Sequence, residues 1–349
     1  MPELPLISIL VPCYNEQATI SLLLEAVWQQ TFPAEQLEVI IADGMSTDGT
    51  RQAIGDFAGT HPQLTIQVVD NPQRIIPAGL NLAIEAARGT VLLRLDAHSI
   101  PRPDYVQRCV TALQEDRGDN VGGVWEIQAG GPGWMARGIA AAASHPLGVG
   151  DARYRYTDQA GLVDTVPFGA FRRDLITRIG LFDESLLTNE DYEFNARLRL
   201  SGGRVWLDPQ IRSIYFARSN LPALLRQYWR YGYWKLRMLR RYPGTLRWRQ
   251  ALPPAFVGGL LLCLLLGLWQ PVFFVFFLLA MLAYTLILML AGLQAANRRN
   301  DAGLALGMPL AISAMHFAWG SGFLWSLISL PFSGAKSSSV AQFKQDGLE

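Results

Sequence analysis

Ile7-Ser8-Ile9-Leu10-Val11-Pro12, running on into Cys13-Tyr14-Asn15-Glu16, decides the fold of the first half of this chain. Ile7–Val11 is an apolar run closed by Pro12, and its length suits a strand rather than a helix. Thr19–Gln30 follows with Leu22, Leu23, Ala26 and Val27 at helical spacing. Leu37–Ala42 is a second strand, ended by Asp43-Gly44, and Asp48–Phe57 a second helix with polar caps at Ser46 and Thr47. Leu64–Val69 reads as a third strand. Pro77 then suits the first position of a helix whose buried stripe is Leu80, Ala83, Ile84 and Ala87. Val91–Leu95 is a fourth strand, stopping at Asp96. Continuous apolar strands separated by helices predict an α/β fold with a mostly parallel central sheet covered on both faces.

Working outward, the pattern loosens. Val121–Trp125 and Val163–Phe168 read as strands, Trp134–Ala143 as an Ala-rich helix, and Asp191–Leu200 as a helix stopped by Gly202-Gly203. His145, Arg153 and Arg155 fall in a stretch, 130–160, that the pattern does not place. Beyond Asp208 no acidic residue occurs until Asp301. Gln250 to Asn297 carries no charge, nor does Ala302 to Ala335. A hydrocarbon core about 30 Å thick needs roughly 20 apolar residues per helical crossing. The first run can therefore cross twice, turning near Gln270-Pro271, and the second once, near Met308–Leu330. This divides the chain into a catalytic domain at 1–220, a basic aromatic interfacial region at 221–249, a membrane domain at 250–335 and a polar tail at 336–349.

Charge sets orientation. Eight basic residues lie between Arg226 and Arg249 with no acidic residue among them, and Arg298 and Arg299 precede the last apolar run. Such excess marks cytoplasmic flanks. Met1 to Pro12 holds too short an apolar stretch for a signal peptide, so the first domain is expected on the cytoplasmic face of an inner membrane. A formal net charge of +1, with no basic stripe in the first domain, gives no reason to expect nucleic acid as a partner. Cys13, Cys109 and Cys263 are too scattered for a disulfide framework or a zinc site.

Three strands end in side chains of one chemical character: the first in Tyr14-Asn15-Glu16, the second in Asp43, the fourth in Asp96-Ala97-His98. Asp, Asn and Gly end strands simply because they favour turns. Three such ends in order also mark the crevice where open α/β sheets bind ligands. No G-x-G-x-x-G follows the first strand, which argues against a dehydrogenase.

The segments Val11–Glu16, Ala42–Thr50 and Arg94–His98, with Asn189-Glu190-Asp191 and Arg226–Tyr231, resemble the motifs of family 2 glycosyltransferases of the GT-A fold. The likeness is strongest to membrane-anchored bacterial exopolysaccharide enzymes of the succinoglycan glucosyltransferase type. It implies a nucleotide-sugar donor, usually a uridine diphosphate sugar. By resemblance Pro12, Tyr14 and Glu16 flank the nucleoside, Asp43 bonds the base, and Asp96 lies beside ribose and metal. His98 stands where the family's second metal carboxylate is usual. An imidazole is better tolerated by manganese than by magnesium, so the cofactor is expected to be Mn2+ or Mg2+, held by Asp96 and His98. Asp191 is the expected base, with Glu190 supporting the acceptor; acids in a first helical turn also simply favour the helix dipole. Gln227-x-x-Arg230-Tyr231 resembles the Q-x-x-R-W signature of polysaccharide synthases, in which Arg holds the diphosphate and Gln and the aromatic line the acceptor site. The surrounding aromatic and basic residues equally suit a helix among lipid headgroups.

The reading is an inverting transferase moving one sugar to a polyprenyl-diphosphate-linked glycan in the membrane. A polyprenyl-phosphate glycosyltransferase is the near alternative, and a non-catalytic nucleotide-sugar sensor the distant one.

Overall fold

The structure, a computed structural model, describes residues 6–329. The strands are β1 (Ile7–Cys13), β2 (Leu37–Asp43), β3 (Thr65–Asp70), β4 (Val91–Arg94), β5 (Ile100–Pro101), β6 (Asn120–Gln128), β7 (Gly161–Leu162), β8 (Ala170–Arg172) and β9 (Val205–Phe216). They form one sheet in the order β3-β2-β1-β4-β8-β6-β9-β5, with β7 on β9. The first four strands are parallel, as the sequence predicts. Beyond β4 the sheet is mixed: β8 runs antiparallel to both β4 and β6, while β6 and β9 are parallel.

Helices cover both faces. On one, Ile7, Ile9 and Val11 pack with Ile20, Leu23 and Leu24 of α1 (Ile20–Trp28), Ile54 of α2 (Thr50–Thr60) and, from further along the chain, Tyr105, Val106 and Cys109. On the other, Leu10 and Ile40 meet Leu80, Ala83 and Ile84 of α3 (Ile76–Ala86) and, later in the chain, Phe194 and Leu198. Tyr105–Cys109 belong to α4 (Tyr105–Gln114). Each fully buried Leu or Ile side chain contributes about 1.5–3 kcal/mol of hydrophobic stabilisation. Alternation along a central strand thus feeds two cores, and that fixes the register.

Several boundaries differ from the sequence reading. Pro12 does not close the first strand, which continues to Cys13 and pairs there with Asp43. Helix α2 starts at Thr50 with Gly49 as its N-cap, because the Ser46 hydroxyl is spent on Asp43 and on the backbone N–H of Asn15. Val163–Phe168 is not a strand. Val163 N–H donates to the Val205 carbonyl at 3.0 Å, but the Val166 carbonyl is taken by the Asn195 side chain at 3.2 Å, and Phe168 adopts a φ of 49°.

The chain separates into two compact units, and the division differs from a single boundary at residue 220. One comprises residues up to Gln128 together with Ala152–Phe216; Ala129–Asp151 joins Ala217 onward in the other. This inserted segment carries α5 (Trp134–Ala143) and α6 (Pro146–Val149). The first unit holds the sheet with α7 (Asp174–Ile179) and α8 (Glu190–Leu200). The second adds α9 (Leu221–Leu239), α10 (Trp248–Gly267), α11 (Val272–Arg299) and α12 (Leu304–Ser329). Small residues account for α5's position: a Cβ on Gly138 would stand 2.6 Å from the Gly307 Cα of α12, so the two backbones touch. Helices α10, α11 and α12 are each long and apolar enough to cross a membrane. The turn between α10 and α11 falls at 268–271, with Pro271 as the α11 N-cap. Leu330 and the tail lie outside the described residues.

Candidate active site

Register places the chemistry. In β1–β2 pairing, Cys13 faces Asp43, and β4 pairs with β1 through Leu10 and Arg94, so three carboxyl ends lie side by side. The loops after β1 and β2 are laced together. Asn15 N–H donates to Ser46 Oγ at 2.8 Å, Thr47 N–H to Asn15 Oδ1 at 2.9 Å, and Glu16 N–H to Thr50 Oγ1 at 2.8 Å. The Ser-Thr-Asp-Gly-Thr stretch thus serves mainly to hold the first loop in place.

Asp43 is fully buried at the end of β2. Its Oδ1 accepts the Ser46 hydroxyl, and its Oδ2 accepts Ser46 N–H at 3.1 Å and Arg51 Nε at 2.6 Å. Arg51 reaches on to Asp70 at 2.6 Å. Tyr14, half-buried beside this loop, has the Arg74 guanidinium 5.7 Å from its ring centre. Asp43 stands level with Cys13 in the register, between Pro12 and the loop that carries Tyr14 and Glu16.

The fourth strand's end is built around Arg94, whose side chain is only 4% exposed. Its Nη2 donates to Asp96 Oδ1 at 3.0 Å and to Glu190 Oε1 at 2.9 Å, its Nε to the same Asp96 oxygen at 3.2 Å, and its Nη1 to Asp191 Oδ1. Buried arginine requires paired partners, and three carboxylates supply them. The sequence reading singled out all three acids and passed over the cation that joins them. An Arg inside the apolar run Val91–Leu95, two residues before Asp96 and so on the same strand face, was the available signal.

Helix α8 delivers Glu190 and Asp191. Asn189, left-handed at φ 70°, turns the chain into the helix, and Glu190, Asp191 and Glu193 occupy its first turn. Two of its polar side chains point inward and are paired: Glu193, fully buried, bonds Arg197, and Asn195 bonds Asn120 at 2.7 Å. Burial pushes the Asp191 carboxyl up, the Arg94 charge opposes this, and the negative charges of Glu190 and Asp96 add to it, leaving it at about 7. One guanidinium against three carboxylates leaves two negative charges in excess when all are ionised.

His98 Nδ1 lies 2.9 Å from Glu16 Oε1. Burial works against ionisation of Glu16, but hydrogen bonds from His98 and Thr19 outweigh it and hold the carboxyl below its usual range. A carboxylate on one ring nitrogen is the arrangement that orients a metal-ligating histidine. Among the described residues no three His, Cys, Asp or Glu side chains converge as a closed metal site. Asp96 and His98 suit instead an open one, whose remaining positions would be filled by phosphate oxygens. Both Arg94 bonds to Asp96 land on Oδ1.

Gln227, Arg230 and Tyr231 lie on α9, in the other unit, where Gln227 Nε2 donates to Tyr231 OH at 3.0 Å. On the same helix Lys235, expected among headgroups, is fully buried. Arg155 is buried in the sheet unit, 5.0 Å from the Trp125 ring centre.

A family model described as glycosyl transferase family 2 matches residues 8–180. Over 335 residues the chain is 31% identical to the succinoglycan biosynthesis protein ExoA of Rhizobium meliloti (strain 1021), covering 92% of this chain and 94% of that protein. It is 29% identical over 268 residues to a Methanococcus voltae dolichyl N-acetyl-alpha-D-glucosaminyl phosphate 3-beta-D-2,3-diacetamido-2,3-dideoxy-beta-D-glucuronosyltransferase, covering 75% of this chain and 82% of that one. Among solved structures, the mannosyltransferase PcManGT of Pyrobaculum calidifontis, in complex with GDP-Man and Mn2+, superposes with a TM-score of 0.55 at 19% identity, over 99% of this chain and 81% of its own. That likeness is one of fold, the GT-A type with a mixed sheet. Motifs, sheet order and near full-length similarity agree: the chain belongs to glycosyl transferase family 2.

Proposed function

We propose that this family 2 glycosyltransferase is an inverting, metal-dependent enzyme that moves one sugar from a nucleotide donor, a uridine diphosphate sugar first, to a polyprenyl-diphosphate-linked glycan. The observation that carries the reading is the joining of Asp96, at the donor end of the crevice, to Asp191, at the head of α8, through Arg94. This bridge supports a donor-side carboxylate and a base working in one site, which a mere sensor has no need of.

In the reaction the acceptor hydroxyl oxygen forms a bond to the donor's anomeric carbon, the bond from that carbon to the diphosphate oxygen breaks, and the nucleoside diphosphate leaves. The hydroxyl proton passes to Asp191, whose position near 7 suits a base at neutral pH. Pro12, Tyr14, Glu16 and Asp43 form the nucleoside edge. Asp96 and His98 would hold Mn2+ or Mg2+, and the excess of carboxylates over the one guanidinium in the cluster favours a divalent cation. When bound, such a cation supplies Lewis-acid stabilisation of the leaving diphosphate. The solved relative of similar fold carries GDP-Man and Mn2+, so guanosine donors belong in the screen.

The succinoglycan and dolichyl-linked names of the relatives support a lipid-held acceptor. Three apolar helices, with basic residues before α10 and at the end of α11, support a multi-pass inner-membrane protein whose sheet unit faces the cytoplasm. On α9, Gln227, Arg230 and Tyr231 would contact diphosphate and acceptor. The purified full-length protein, screened for donor hydrolysis across uridine and guanosine diphosphate sugars with Mn2+ or Mg2+, tests this directly. Saturable nucleotide-sugar binding with no turnover on any donor and acceptor would favour the sensor.

A further inference from the structure

Arg94 sits in the interior of the sheet with its own backbone locked. Its N–H donates to the Gly169 carbonyl at 3.1 Å, tying β4 to the segment that leads into β8. From that fixed base the guanidinium reaches carboxylates 2, 96 and 97 residues away in sequence. Its donors lie in one plane and at fixed angles, so the three acids it holds cannot move independently. A lysine at the same place would offer a point charge on a flexible stem, able to neutralise but not to orient. The Asp191 contact uses Oδ1, which leaves Oδ2 to receive a proton.

Resting on the reading of Asp191 as base, we propose that Arg94 is the positioning residue of the reaction: one buried guanidinium that holds the base carboxylate of Asp191 in register with the donor-side carboxylate of Asp96, with Glu190 as the shared strut. Arg94 touches neither substrate. It acts by making the donor end of the sheet and the head of α8 a single rigid frame.

The test uses full-length protein in detergent with Arg94→Lys and Arg94→Gln. Transfer kinetics are read alongside calorimetric binding of uridine and guanosine diphosphate in Mn2+. In Arg94→Lys the charge remains and the orientation is lost, so kcat should fall about 10²-fold, the usual cost of a small misplacement of a reacting group. Donor KM and nucleotide affinity should stay within about threefold, the signature of an interaction that serves only the transition state. A structural role would lower the folded fraction and leave kcat per folded molecule intact. Because Arg94→Gln removes the cation shared by three acids, its loss of thermal stability is also measured in an Asp191→Asn background, where the proposal expects it to shrink. Wild-type transfer with Arg94→Lys kcat within about threefold of it would overturn the proposal. So would a loss confined to donor affinity. Absence of transfer by the wild type would refute the proposed function instead, and purely additive effects of Arg94→Gln and Asp191→Asn on thermal stability would then overturn the frame itself.

Discussion

Glu16 Oε1 and His98 Nδ1 lie 2.9 Å apart, so a residue within the loop after β1 fixes the imidazole in the loop after β4. The histidine that replaces a family carboxylate is thus not idle. Its partner comes from the loop after β1, and the loops after β1 and β4 are linked through this pair.

This pair predicts the metal preference. His98→Asp should keep transfer and shift the preference from manganese toward magnesium, because an imidazole is replaced by a hard oxygen. Glu16→Gln, which weakens the hold on the ring, should raise the Mn2+ concentration for half-maximal activity by about 10–100-fold, as outer-shell losses do. Titration of activity with each cation reads both. A His98→Ala variant with unaltered metal dependence would rule out the ligand role.

Asp191 gives a pH prediction with opposite signs for activity and stability. With its carboxyl held near 7 when folded, transfer should rise with pH through about 7 as the base ionises. A carboxyl whose folded pKa exceeds its unfolded value near 4 binds its proton more tightly in the folded state, so its contribution to stability falls as pH rises between those values. Asp191→Asn should therefore lose about 10²–10⁴-fold in transfer, bind nucleotide normally, and unfold at a higher temperature than wild type at pH 8. Weakened donor affinity with intact turnover would point to a helix-capping role.

Two helical glycines should respond oppositely to the same change. Gly59 in α2 has nothing within 4 Å of an added Cβ, so Gly59→Ala should stabilise by about 0.5–1 kcal/mol. On Gly232 of α9 the methyl would stand 2.1 Å from the Trp319 carbonyl of α12. Gly232→Ala should therefore lower the melting temperature in detergent, with overpacking costing about 1–3 kcal/mol. Equal responses at the two sites would deny the close α9–α12 approach.

Membrane orientation follows from α10 and α11. A helix of 28 residues such as α11 is about 42 Å long and can cross the hydrocarbon core with tilt. Cysteines placed at Gln270 should be labelled from outside the cell, and at Asn300 only after permeabilisation. External labelling of Asn300 would invert the whole arrangement.

The strand ends were legible because Asp43 and Asp96 interrupt apolar runs where a parallel sheet must turn. The α10–α11 turn was legible because Pro271 divides a charge-free run too long for one crossing. Arg94 was not, since its partners Glu190 and Asp191 lie nearly a hundred residues away and spacing along the chain carries no distance in space. Nor was the place of α5, whose alanines fit any partner until Gly138 meets Gly307. Val163–Phe168 misled because apolar content was read as strand, while Asn195 takes the backbone carbonyl a ladder would need.

The central claim is sugar transfer from a nucleotide donor to a lipid-held acceptor, and the most direct measurement follows the sugar itself. Membranes containing the full-length protein are incubated with radiolabelled nucleotide sugars and Mn2+, then extracted with butanol. Label should enter the butanol phase with one donor, with a matching release of nucleoside diphosphate, and fail to enter it with Asp191→Asn. Label that stays in the aqueous phase for every donor, or that enters butanol equally with Asp191→Asn, would contradict the account.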